Sequence, residues 1–452
     1  MKKHNPLARA DGFLCDFDMI SEALDESCGT HVPAVHSVCI AVGLAGAALI
    51  FACGAPLKAE ESRDWVWSPS GEVDTALLLW ESRDLETARE RLRAGDPVLE
   101  AAYGVLIAEA DRALDQRPVS VVDKERKPPS GDMRDYLTFG PYWWPDPDSE
   151  DGLPYVRRDG VTNPESSVDR AAWSRMQRAV TVLVPAWYFS GEERYAQHAA
   201  HLVRHWFLNE ETGMNPHLTY AQGIPGRMEG RGIGTIDISP RIAELLSCMQ
   251  LLEESLAWTR SDARALRAWM GRLLQWIGDH EHGSAAFNRH NNIGTWFDVL
   301  VSALALYSGA HEIAEVILES VPERRFADQI AGDGSLPHEL GRKRSKGYVS
   351  MNVRGFLTLA ILGERVSLDL WRAGESGDVF VRRTLDWLAP FALGEQSWEW
   401  EQVAPFDDAR FAILFHIAGR AYDDAHYLEI ARSIGEADSA YQRLQLFFPV
   451  PR

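Results

Sequence analysis

DRAAWSRMQRAVTVLVPAWY (Asp169–Tyr188) runs through Phe189-Ser190-Gly191 into EERYAQHAAHLVRHWF (Glu192–Phe207), and this stretch decides the fold. In the first segment Trp173, Met176, Val180, Leu183, Val184 and Trp187 recur at three- and four-residue spacing. Tyr195, Ala199, Leu202, Val203 and Trp206 do the same in the second. That is the period of a helix with one apolar face. Ser190-Gly191 between them permits a tight reversal. Two amphipathic helices on so short a link pair antiparallel.

The same period extends in both directions. It marks Leu85–Ala94, Val98–Leu114, Pro240–Leu256, Ser261–His280, Asn292–Tyr307, His311–Glu319, Tyr348–Leu362, Asp378–Leu388, Asp407–Ile417 and Ala425–Ile434. Alternating strand patterns are nearly absent. The expectation is an all-α fold, an α/α toroid (an incomplete α/α barrel) of helical hairpins, formed as one unit over residues 54–452. Two long stretches break the helical pattern, 121–168 and 209–239, both rich in Pro and Gly. Long irregular segments inside a compact domain are usually functional.

The chain has 452 residues and a formal net charge of −20, which argues against a nucleic-acid partner. Any anionic ligand would need a local basic cluster, because screening makes local charge outweigh the total. Val38–Phe51 is apolar, small-residue-rich and too short for a comfortable membrane span. Its length suits the core of a signal peptide, and Ile50-Phe51-Ala52-Cys53 resembles a lipoprotein cleavage site. Residues 1–53 are therefore expected to be a leader, with Cys53 a candidate lipid anchor. The mature protein is expected to be exported, either periplasmic or anchored to a bacterial membrane. Against this, residues 1–37 carry acidic residues where a short basic segment is usual, and Met19 is a second candidate start. Beyond the leader only Cys248 remains, which excludes an intrachain disulfide and a cysteine-based zinc site.

Four motifs carry chemistry. Pro141–Pro147 (PYWWPDP) puts Tyr142, Trp143 and Trp144 together as candidate platforms for sugar rings, or as a structural plug. Met214–Gln222 (MNPHLTYAQ), Ile224–Arg227 (IPGR) and Gly230–Gly234 (GRGIG) offer Asn215, Gln222 and Arg231 as binding residues, with glycines that allow close backbone approach. No Lys-Ser/Thr follows and no strand precedes, so this is not a phosphate loop. Asn291–Trp296 (NNIGTW) opens a helix, where amides and free N–H groups suit a carboxylate, or where an asparagine caps. Asp333–Tyr348 (DGSLPHELGRKRSKGY) holds Arg342, Lys343, Arg344 and Lys346 beside a tyrosine, and is the required basic cluster unless it is a solvated surface run.

In this order the four motifs resemble the alginate-lyase-like polysaccharide lyases, which include lyases of alginate and of β-1,4-glucuronan. The resemblance spans about Val121 to Asn352 and weakens toward residue 435. It implies an α/α toroid and β-elimination of an acidic polysaccharide. One position departs from the family pattern: Ile293 stands where a histidine is expected. His290, three residues earlier, could substitute if the helix begins early enough.

Elimination needs a neutralised carboxylate, a base for the C5 proton and an acid for the leaving O4. Arg342 and Asn292 are candidates for the first task. Tyr348 is the candidate for both proton transfers, with the surrounding cations expected to lower its pKa. H5 and O4 lie on the same side in D-glucuronate and D-mannuronate, so one residue can serve both, and guluronate is disfavoured. Tyr142, Trp143, Trp144, Asn215, Gln222, Arg231, Trp296 and Arg344 are the candidate substrate-binding residues. No cofactor is implied, and no metal. His198, His201 and His205 share a helix face without a third-ligand motif. Cys248 lacks a nucleophile's partners. Two other readings stay open. A non-catalytic polyuronate-binding protein is motivated by Ile293. A glycoside hydrolase would need a carboxylate pair among Asp146, Asp298 and Glu339.

Overall fold

A computed structural model describes residues 76–375 and 378–450. The proposed leader and Cys53 lie outside the described residues.

The helices are α1 (Ser82–Arg93), α2 (Pro97–Leu114), α3 (Arg170–Ser190), α4 (Glu193–Val203), α5 (Ile242–Leu252), α6 (Arg260–Asp279), α7 (Glu281–Ser284) and α8 (Asn292–Ser308). They continue as α9 (His311–Glu319), α10 (Pro337–Leu340), α11 (Ser345–Glu364), α12 (Phe380–Ala392), α13 (Phe411–Ala421), α14 (Ala425–Gly435) and α15 (Ser439–Leu444). The hairpin read from residues 169–207 is α3–α4. Gly191 ends α3 with a left-handed φ of 76°, and its N–H closes on Trp187 O. Gly309 does the same between α8 and α9, at φ 86°. Asp96 caps α2 ahead of Pro97, and Thr259 with Asp262 forms a capping box on α6. These signals set helix limits close to those expected from periodicity.

Helices α3–α4, α8–α9 and α13–α14 pack as hairpins, and α8 also packs on α5, α6 and α11. Every residue of α8 is buried, as befits a helix enclosed on all sides. This is the α/α toroid, with one apolar core running from Leu77 to Phe447. No helix among the described residues is long and apolar enough to cross a membrane.

The two irregular stretches meet through short strands. β1 (Leu137–Phe139) pairs in parallel with β4 (Tyr220–Gly223), and β2 (Trp143–Trp144) pairs with β3 (Val156–Arg157) as an antiparallel hairpin. A further small pair joins β5 (Gly374–Glu375) and β6 (Asp378–Val379). Lys124 fastens the first stretch. Its Nζ donates to the carbonyls of Val121, Met133 and Asp135 and pairs at 3.1 Å with Asp169, both side chains 1% exposed. Asp169 in turn accepts from Leu137 N at 2.7 Å, so β1 is tied to the start of α3.

Candidate active site

Tyr348 lies in the first turn of α11, and Arg342 precedes it in the link from α10. The link is short, so Arg342 folds back on the ring: its guanidinium carbon lies 4.3 Å from the Tyr348 centroid. Arg342 Nη2 donates to the Tyr348 hydroxyl at 3.1 Å. That hydroxyl is also 2.9 Å from the hydroxyl of Tyr142, which the β1–β2 connection carries in from the other stretch. Both tyrosines are buried, and Arg342 is nearly so. Asp159, beyond β3, reaches Arg342 Nη2 at 3.5 Å and Arg157 at 3.2 Å.

Burial dominates the electrostatics. It pushes the Tyr348 phenol well above its ordinary range; the neighbouring Tyr142 adds to this and Arg342 opposes it. Burial likewise raises Tyr142, against the hydrogen bond with Tyr348 and the charges of Arg344 and Arg342. The expectation that surrounding cations would lower Tyr348 is therefore corrected. Of those cations only Arg342 reaches the hydroxyl. Arg344 donates to Gly160 O and Thr162, and Lys346 pairs with Asp408 at 2.7 Å. Lys343 is exposed.

A second polar centre adjoins the first. Glu339 is fully buried and accepts from Asn292 N (2.6 Å), Asn292 Nδ2 (2.8 Å) and Asn352 Nδ2 (3.0 Å). Asn352 also donates to Gln329 at 2.8 Å. Burial raises the Glu339 carboxyl to about 7, with the Asn292 donors and Arg342 pulling the other way.

The alginate lyase family model matches residues 120–398. This chain belongs to that family. A crystal structure of an alginate lyase from Bacteroides ovatus superposes with a TM-score of 0.78 at 34% identity, over 83% of this chain and 99% of that one. Alginate lyase A1-III from Sphingomonas species A1 shares the fold, with a TM-score of 0.53 at 14% identity over 83% and 96%. One of its variants was solved complexed with tetrasaccharide, at a TM-score of 0.54 and 14% identity over 84% and 96%. No curated protein sequence matches. The chain is thus a polysaccharide lyase, a carbon–oxygen lyase.

Within this lyase the expected site residues divide. Arg342, Tyr348 and Tyr142 come together. Tyr142 is no platform, however, because its ring is wholly buried. Trp143 and Trp144 are half-buried on β2, where Arg227 lies 5.3 Å from the Trp143 ring and Arg158 lies 5.2 Å from that of Trp144. Trp296 is not with them: it is 1% exposed in α8 and donates to Met351 O, so it is core. His290 lies before α8, which begins only at Asn292, so the helical spacing to Ile293 does not arise. Its ring is exposed and pairs with Asp328 at 2.8 Å. The start of α8 does bind a carboxylate, but the protein's own, that of Glu339, and the cap is Asn291.

Asn215 donates to Asp135 and Asp132. Gln222, buried at φ 57°, donates to Asp237 and accepts from Arg231 at 2.7 Å. Asn215 thus knits the second stretch to the first, while the Gln222 side chain bonds within the second and its backbone N–H crosses to Thr138 Oγ1 at 2.8 Å. Gly230 lets the second stretch close on itself: a Cβ there would fall 1.8 Å from Thr219 O.

The carboxylates of the hydrolase reading are each engaged elsewhere. Asp298 is buried between Arg324 and Arg325, Glu339 is enclosed by asparagines, and Asp146 caps its own turn. Among the described residues no group of three or more His, Cys, Asp or Glu is arranged to hold a metal. Cys248 is buried, with its thiol raised by desolvation.

Two residues carry no distinctive sequence signal for their place here: Asp159 simply follows Arg157 and Arg158, and Glu339, a candidate hydrolase acid by its letters, is the carboxylate that Asn292 holds.

Proposed function

We propose that this lyase cleaves a β-1,4-linked polyuronate, glucuronan or mannuronate-rich alginate, by syn β-elimination, leaving an unsaturated uronate end. The Arg342–Tyr348 contact carries the reading. A guanidinium 3.1 Å from a buried phenol can serve both the substrate carboxylate and charge developing on the phenol oxygen. Asp159, 3.5 Å from Arg342, holds the place that the substrate's carboxylate takes on binding. Tyr348 stands on the C5 side of the sugar and moves the proton. Trp143 and Trp144 are proposed as half-exposed faces for neighbouring rings, and Arg344 shapes the rim through the 160–162 segment. Asn292 keeps Glu339 in place beside Arg342. The relatives named as alginate lyases support the substrate class.

Tyr348→Phe tests this. Turnover is expected to fall by at least about 10³-fold, with polymer binding nearly unchanged. Activity within a few-fold of wild type removes Tyr348 from the chemistry.

A further inference from the structure

The first N–H groups of a helix have no partner within it and must find one outside. At the start of α11 Arg344 stands in the N-cap position, and its side chain makes no capping hydrogen bond. The partners come from residues 398–403, far along the chain. Ser345 N donates to Glu401 O at 3.2 Å, and Lys346 N donates to the side-chain oxygen of Gln402 at 2.9 Å. The other end of the Gln402 amide donates to Ala404 O at 2.7 Å, which sets its orientation.

The same segment holds its neighbours on both sides. Trp398 Nε1 donates to Ser345 Oγ at 2.8 Å, and that hydroxyl donates to Glu401 O at 2.8 Å. Val403 N donates to Lys343 O at 2.8 Å, and Arg344 pairs with Gln402 in an antiparallel bridge. Gly160 packs against both strands of that bridge: a Cβ there would lie 3.1 Å from Lys343 Cβ and 3.1 Å from Val403 Cγ2. Gly160 follows Asp159, whose carboxylate reaches Arg342 at 3.5 Å. Rings anchor the segment to α12. Trp398 packs on Trp387, Phe391 and Trp400 at centroid distances of 6.0, 5.3 and 5.0 Å.

The reacting pair straddles this cap. Arg342 lies before Lys346 and Tyr348 after it, and Tyr348 N donates to Arg344 O at 3.2 Å. The 3.1 Å contact between guanidinium and phenol therefore depends on a closed first turn of α11. A misplacement of about 1 Å at a reacting group can cost about 100-fold in rate.

We propose that Gln402 is a positioning residue for the elimination: by capping α11 from outside, it fixes Tyr348 against Arg342. It acts through the helix and not on the sugar. Trp398 supports it by holding Ser345 from the same side. This inference rests on Tyr348 and Arg342 being the reacting pair.

The test compares the wild-type protein, Gln402→Met, Gln402→Glu and Tyr348→Phe on polyglucuronate and polymannuronate. Rates are followed by absorbance of the unsaturated end, and folding by a thermal melt. Gln402→Met keeps the length of the side chain and removes the acceptor for Lys346 N. Its kcat should fall at least about 10-fold while KM stays within about three-fold, and it should melt only a few degrees early. Gln402→Glu keeps the acceptor and places a carboxylate at a helix start, so its kcat should stay within about three-fold of wild type. Asp96→Ala uncaps α2 instead, and should melt early with kcat unchanged. A Gln402→Met kcat within about three-fold of wild type, beside an inactive Tyr348→Phe, overturns the inference. Equal loss in Gln402→Glu overturns it too, since the acceptor would then not matter. Should Gln402→Met not fold, Trp398→Phe carries the test. It removes the N–H on Ser345 Oγ and should lower kcat at least about five-fold; an unchanged rate overturns the inference. Activity in Tyr348→Phe removes instead the reading on which the inference stands.

Discussion

Two buried polar centres lie side by side in this lyase, and they are satisfied in opposite ways. Glu339 receives three N–H donors from Asn292 on α8 and Asn352 on α11, and it is fully buried. Every partner is helical, so exchanging one would disturb the toroid. Arg342, a few residues on, is answered from outside the helices by Asp159, a loop carboxylate whose side chain is 24% exposed. At 3.5 Å that is a loose pair. A charge held by rigid amides is scaffold. A guanidinium with a phenol against it and a partly exposed loop carboxylate at 3.5 Å can accept a carboxylate from a substrate.

The comparison breaks most sharply at Arg342. Arg342→Ala should lower kcat/KM about 10³-fold on the cleaved polymer, read from the rate of absorbance rise, with little loss of melting temperature. A variant that melts early and turns over normally would move Arg342 into the scaffold. Glu339 should behave the other way. Its folded pKa of about 7 lies above the ordinary 4.5, so the fold favours the protonated form. The stability from that preference is complete below about pH 4.5 and is lost as pH rises through about 7. Wild-type melting temperature should therefore decline across this window, and Glu339→Gln should flatten the decline. Parallel curves would show that another group sets the slope. The smallest effect is expected at Asp159. Asp159→Asn removes a competitor for Arg342 and should lower KM about two- to five-fold, the scale of a partly exposed ion pair. A raised KM would make Asp159 a contributor to binding.

Much of this was legible in the sequence. Helix limits followed from period and caps, and Asn292 was expected to open its helix, as it does. Arg342 and Tyr348 could be paired because six residues at a helix start leave them little choice. The Tyr142–Tyr348 contact could not, since its partners are 206 residues apart and no period links them. Trp296 and Trp143 look alike as letters beside a motif. One lies on a helix enclosed on every side, and the other on a two-residue strand at the edge. Asn292 shows the subtlest limit. The chemistry of a helix start binding a carboxylate was readable, but its occupant, Glu339, came from a distant turn.

The most direct measurement is ultraviolet absorbance of the unsaturated uronate during separate incubations with polyglucuronate, polymannuronate and polyguluronate. A rise with one of the first two, and at most a tenth of that rate with polyguluronate, is expected of Tyr348 acting on one face. The fastest rise on polyguluronate would contradict syn elimination. No rise with any polymer, alongside measurable binding, would make this chain a polyuronate-binding protein.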